Sequence, residues 1–199
     1  MFRLAWPLCV LTIGAAAAAP PDQRRLSTNY TCAADLGPGV GNANRRFCDV
    51  VITTTPARSV TVPIPLHSGE ATLLFDLHNR FTVIGAPAEP GGAYVRHSAI
   101  VAIVATDGTV LARTGVRREF RTIQDLFDRI AGGGAAGGVK LVAPGQPHAV
   151  RAGIPAGVAS VGIVGERLEV MSRDGTVAHD APDRPVALIS NVRVEYAVK

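Results

Sequence analysis

From Ser59 to Gly85 the chain alternates apolar residues with polar or turn-forming ones at a period of two, and no other pattern in it narrows the fold as far. Val60, Val62, Ile64 and Leu66 interleave with Thr61, Pro63, Pro65 and His67. After Ser68-Gly69-Glu70, the residues Ala71, Leu73, Phe75 and Leu77 interleave with Thr72, Leu74, Asp76 and His78. Successive side chains of a strand point to opposite faces, so this period predicts half-buried β-strands. The Ser-Gly-Glu break predicts a β-hairpin between the two runs. Pro63 and Pro65 lack the amide donor that a central ladder requires, which places the first run at an edge or a bulge.

The rest of the chain repeats this grammar. Ser98–Ala105 is apolar on both faces and rich in β-branched residues, the signature of a strand shielded on both sides. It stops at Asp107-Gly108, a hairpin turn in which glycine takes the left-handed backbone position, and a second strand follows over Thr109–Glu119. Asp-Gly-Thr-Val recurs at 174–177 after Leu168–Met171, predicting another hairpin. Further short strands are expected at His148–Arg151, Val158–Val164, Val186–Ile189 and Val192–Val198, separated by Gly- and Pro-containing turns such as Gly165-Glu166-Arg167. One short helix is expected: Thr122 can cap it, Asp125 suits its first turn, and Ile123, Leu126, Phe127 and Ile130 share a face. The Gly132–Gly138 run ends it and is no phosphate loop, since no Gly-Lys-Ser/Thr follows. Many short strands and a single helix predict a mainly β fold: a two-layer antiparallel β-sandwich of immunoglobulin-like layout with one short helix. A parallel α/β fold would need several crossover helices.

The N-terminus has a secretory form. Arg3 precedes an apolar stretch, Leu4–Ile13, which closes in the small residues Gly14–Ala19 before Pro20. Residues 1–19 are therefore expected to be a signal peptide, too short in its apolar part to match the roughly 20 residues of a membrane span, so no span is expected after processing. Removing 19 of 199 residues leaves 180, enough for one domain, and loss of Arg3 takes the formal charge from +4 to +3. That excess is modest. The doublets Arg24-Arg25, Arg45-Arg46 and Arg117-Arg118 stand apart without clustered aromatics, which argues against a nucleic-acid surface. Of the 20 basic residues 18 are arginine, a usage that fits a GC-rich bacterial genome and a periplasmic or extracellular location.

Two cysteines, Cys32 and Cys48, survive cleavage, and in an oxidising compartment an isolated pair is read first as a disulfide. Neither a CxxC spacing nor a nearby histidine supports thiol chemistry or metal binding instead. The intervening Gly-, Pro- and Asn-rich stretch suggests that residues 20–49 form an irregular segment stapled to a first core strand at Val50–Thr55, with residues 50–199 as a single β-sandwich domain. Asn29-Tyr30-Thr31 matches a glycosylation acceptor, a pattern that is not used in a bacterial protein.

Catalytic signals are sparse. None of the five histidines has a metal-binding spacing. Asp76 and His78 share a strand face, and a hairpin at Ser68 would bring His67 across from them, a set able to hold zinc or copper. A solvated sheet face explains the same residues without a ligand. No Gly-x-Ser-x-Gly elbow is present, and Ser68, Ser98, Ser160 and Ser190 have no sequence neighbour that marks a nucleophile. The expectation is an exported, noncatalytic binding or structural module of the bacterial envelope. It would need no cofactor or metal and would meet another envelope protein through an exposed sheet edge. The alternative is a small exported metal-binding protein or hydrolase with its site around Asp76 and His78.

Overall fold

The computed structural model describes residues 24–39, 42–55, 58–80, 95–120, 146–172 and 174–198. In chain order the strands are β1 (Arg24–Ser27), β2 (Thr31–Cys32), β3 (Asp35–Gly39), β4 (Asn42–Val51), β5 (Val60–Pro63) and β6 (His67–Asn79). They continue with β7 (Val95–Ala105), β8 (Val110–Phe120), β9 (His148–Ile154), β10 (Ser160–Ser172), β11 (Gly175–His179) and β12 (Pro185–Val198). The first sheet has the order β3-β4-β12-β6-β9, with β1 also on β12; the second has the order β2-β5-β10-β7-β8, with β11 also on β10. All these strand pairings are antiparallel, and the two sheets pack face to face as a β-sandwich. The strand orders define that two-layer architecture and do not establish an immunoglobulin-like layout. The signal peptide expected over 1–19, the helix expected over 122–130 and the glycine run after it lie outside the described residues.

Each sheet is organised on one long strand. One edge of β12 pairs with β6; its other edge is divided between β4 near its start and β1 near its end. β10 is used the same way, with β7 along one edge and β5 and β11 sharing the other. Alternation along these strands supplies the core: Leu73 and Leu77 of β6, Ile189 and Val194 of β12, Val101 and Ile103 of β7 and Ile163 of β10 are fully buried between the sheets.

Two breaks that read as turns are bulges inside continuous strands, and a third bulge joins two stretches expected as separate strands. β6 runs through Ser68-Gly69-Glu70 without reversing, with Gly69 at φ +70° and a register shift against β12. The expected hairpin between the two runs is therefore absent: the chain breaks at Ile64–Leu66 instead, and β5 and β6 belong to opposite sheets. Gly165-Glu166-Arg167 lies within β10 at a shift against β7, and Asn191-Val192 lies within β12 at a shift against β6. A bulge inserts residues into one strand and often uses a left-handed backbone position, so its residue signature overlaps that of a turn. The two Asp-Gly sites do turn the chain. Gly108 (φ +86°) joins β7 to β8 while the Thr109 amide donates to Asp107 Oδ1 at 2.9 Å, and Asp174-Gly175 joins β10 to β11.

The N-terminal stretch is more ordered than its composition suggests. In place of the irregular segment expected over 20–49, residues 24–27, 31–32, 35–39 and 42–51 form β1 to β4. Cys32 and Cys48 are joined, with Cα atoms 5.8 Å apart. Because β2 belongs to the second sheet and β4 to the first, the bridge ties the two layers together rather than stapling a loop to a strand. Irregular composition was outweighed here by edges: the long strands β12 and β10 leave ladder donors and acceptors that short segments can satisfy.

Candidate functional site

The alternation that turns Leu77 and Ile189 inward turns His78, Leu188 and Asp49 outward, because these three are directly paired across β6, β12 and β4. Ser190 and Asp76, also paired, occupy the next outward row. This outer face is not a bare solvated surface. His78 is 1% exposed and Ser190 0%, with Phe47 and Leu188 buried beside them in a small apolar cluster separate from the main core. Phe47 meets the His78 ring edge-on, with centroids 5.4 Å apart. His78 Nε2 and Ser190 Oγ are hydrogen-bonded at 2.9 Å. At one end of the face Asp49 is held by both Nε and Nη2 of Arg80, the latter at 3.0 Å. At the other end Asp76 Oδ2 accepts from Asn191 Nδ2 at 3.4 Å and lies 3.9 Å from Arg45 Nη1.

Beyond Asp76 the face opens into a cleft of about 540 Å³. Its walls are residues 28–31, the connector that crosses from β1 to β2 and the first residue of β2, together with Arg45 and Arg46 of β4, Pro63 at the end of β5, and Asn191 and Val192 in the β12 bulge. Asn191 holds φ +55°, a left-handed position that re-aims its side chain toward Asp76 and the cleft. Arg46 is paired with Asp35, whose carboxyl is held below its usual range first by the Gly37 amide and then by Arg46. Tyr30 packs against the core; burial raises its phenol pKa, with Arg46 opposing, so the hydroxyl stays protonated and able to donate.

Of the residues singled out in the sequence, Asp76 and His78 do share a face, but His67 does not join them. All three lie on β6, and with no hairpin between them His67 stands eleven residues from His78, roughly 35 Å along the strand. There its Nδ1 donates to the Pro65 carbonyl at 2.8 Å. Among the described residues no group of three or more His, Cys, Asp or Glu gathers as a metal would require. The Ser190–His78 contact, between residues 112 apart, is a chemically suggestive pair that sequence reasoning missed. Its distance suits a nucleophile and its base. Its burial does not: a substrate carbonyl has no approach to a serine with no exposed surface, and the Asp49 carboxylate on the same face is engaged by Arg80. The contact satisfies two buried polar groups. The arginines of the cleft were visible only as a basic doublet, because adjacent strand residues ordinarily point apart and nothing local says that both reach one cavity.

These features define a class: a two-sheet antiparallel β-sandwich with an inter-sheet disulfide and an arginine-bearing cleft lined by residues of both sheets. No protein-family profile matches the chain, and no curated protein matches it. Among solved structures, the infectious bursal disease virus VP2 subviral particle aligns with 94% of this chain and 37% of its own, at 12% identity and a TM-score of 0.27. The chain thus spans little over a third of that protein's length, and a similarity of this degree carries no argument.

Proposed function

We propose that the protein is an exported, noncatalytic binding or structural module of a bacterial envelope. The observation that carries the reading is the Cys32–Cys48 bridge. It links the two sheets with Cys48 1% exposed, so the fold incorporates a bond that persists in an oxidising compartment. The secretory pattern of residues 1–19 agrees with it, and among the described residues no helix is long and apolar enough to cross a membrane. A binding role draws support from the open cleft, and from the sheet edges at β8, β9 and β11 through which another envelope protein could pair. The hydrolase alternative has one observation in its favour, the Ser190–His78 hydrogen bond.

Two measurements test the reading. Crosslinking in intact cells followed by recovery from the envelope fraction is expected to yield the oxidised, processed chain together with a reproducible envelope component; recovery of a reduced, unprocessed chain from the cytosol refutes export. Incubation with a fluorophosphonate probe is expected to leave Ser190 unlabelled. Labelling that disappears in Ser190→Ala and in His78→Gln would replace the noncatalytic reading with the hydrolase.

A further inference from the structure

The cleft has a composition that specifies more than a place to bind. Among the described residues no carboxylate lines it. Two acids that do not line it approach its arginines: Asp76, its side chain 14% exposed, lies near Arg45, and Asp35 pairs with Arg46. The contact from Arg45 to Asp76, at 3.9 Å, is too long for a hydrogen bond, and a guanidinium carries five N–H donors. Arg45 therefore keeps its fork for something else. Around the arginines are neutral hydrogen-bonding groups. Among the described residues the side chains of Thr28, Asn29, Tyr30 and Thr31 make no hydrogen bond within the protein, and Asn191 uses only its amide nitrogen, toward Asp76. The volume, about 540 Å³, falls within the range of small-ligand sites. Guanidinium groups match a carboxylate in a planar, bidentate way. Hydroxyls and amides that both donate and accept match sugar hydroxyls, and here they outnumber the arginines. A small inorganic anion would leave most of them unused.

We propose that this cleft binds a carboxylated saccharide, Arg45 and Arg46 taking the carboxylate while residues 28–31 and Asn191 hydrogen-bond the ring hydroxyls. The proposal deepens the binding reading above and rests on it. It makes the bulge at Asn191 functional: the extra residue and its left-handed backbone turn an amide toward the cavity that a regular strand would not place there.

Calorimetric titration of the purified, oxidised protein tests this with three probes: trigalacturonate, its fully methyl-esterified counterpart, and inorganic phosphate. Trigalacturonate is expected to bind, the methyl ester at least about tenfold more weakly, and phosphate neither to bind measurably nor to compete. Arg45→Gln and Asn191→Gly are each expected to weaken trigalacturonate about tenfold or more while thermal unfolding stays unchanged, the glycine keeping the left-handed backbone that another residue would strain. No binding of trigalacturonate, equal binding of its methyl ester, or unchanged affinity in Arg45→Gln overturns the proposal; phosphate binding that matches trigalacturonate reduces the site to a general anion site and overturns it too. Failure on any of these counts with envelope recovery intact removes the ligand and leaves the module, whereas cytosolic recovery or Ser190 labelling removes the module itself.

Discussion

His97, in β7, is the side chain whose chemistry the fold changes most. Burial foremost, then the neighbouring His179 and Arg184, lower its pKa from 6.5 to about 4, so the native ring is neutral where an unfolded chain would begin to protonate. The sign follows from linkage. The native state binds fewer protons between these two values, so the contribution is complete above pH 6.5 and is lost as pH falls toward 4. A shift of this size corresponds to at most about 3–4 kcal/mol, and partial exposure brings the expected effect to roughly 1–2 kcal/mol. Urea midpoints measured between pH 7 and 4.5 should fall accordingly, and His97→Gln should flatten that slope; an identical slope in the variant would rule His97 out as its source. Gly165 presents a steric case instead. A Cβ there would stand 2.5 Å from Val186 Cγ2 and 3.1 Å from the Ile52 amide nitrogen, at the point where β10 touches the chain leaving β4. Gly165→Ala should lower stability by about 1–3 kcal/mol by denaturant unfolding, and adding Val186→Ala should not restore it fully, since the backbone contact remains.

At the scale of elements, bulges matter as much as strands. They let β10 and β12 continue across places where the sequence interrupts its alternation, and that continuity allows each to hold neighbours on both edges. The second half of β12 shows the consequence. Val192 and Val194 are buried there at 3% and 0% exposure, and the same stretch pairs with both β6 and β1. Deleting residues 191–199 removes two buried valines, worth about 1.5–3 kcal/mol each, along with those ladders, against a typical total stability of about 5–15 kcal/mol. Global loss of cooperative unfolding is expected, read by circular dichroism in urea. A truncated protein that unfolds at the parental midpoint would show the strand to be dispensable.

For the molecule as a whole, the two layers are joined by the core and by one covalent link. The bridge closes a loop with a sequence separation of 16, for which chain entropy gives roughly 3 kcal/mol. Reduction should therefore lower the denaturant midpoint without altering the slope greatly, and buried Cys48 should resist alkylation until the sheets part. Equal midpoints with and without reductant would show that packing alone holds the layers.

The alternation of Val60–Leu77, the Asp-Gly turns and the cysteine pair made the β class, two hairpins and the disulfide legible from residues alone, because each depends on neighbours one to a few positions apart or on a single scarce residue type. Proline at 63 predicted an edge or a bulge, but β5 lies between β2 and β10 without a register shift; the proline is accommodated because it ends the strand, beyond the two residues that β2 pairs. Which sheet a strand joins was not legible, since both sheets present the same inward and outward alternation. Nor was the difference between a turn and a bulge at Ser68–Glu70 and Gly165–Arg167, where similar backbone demands are met with or without reversal of the chain. The outer face and the cleft belong wholly to the tertiary structure. His78 meets Ser190, and Arg45, Asn191 and residues 28–31 come to line one cleft, only because β12 lies between β4 and β6 and because the N-terminal residues cross between the layers; no local periodicity encodes either fact.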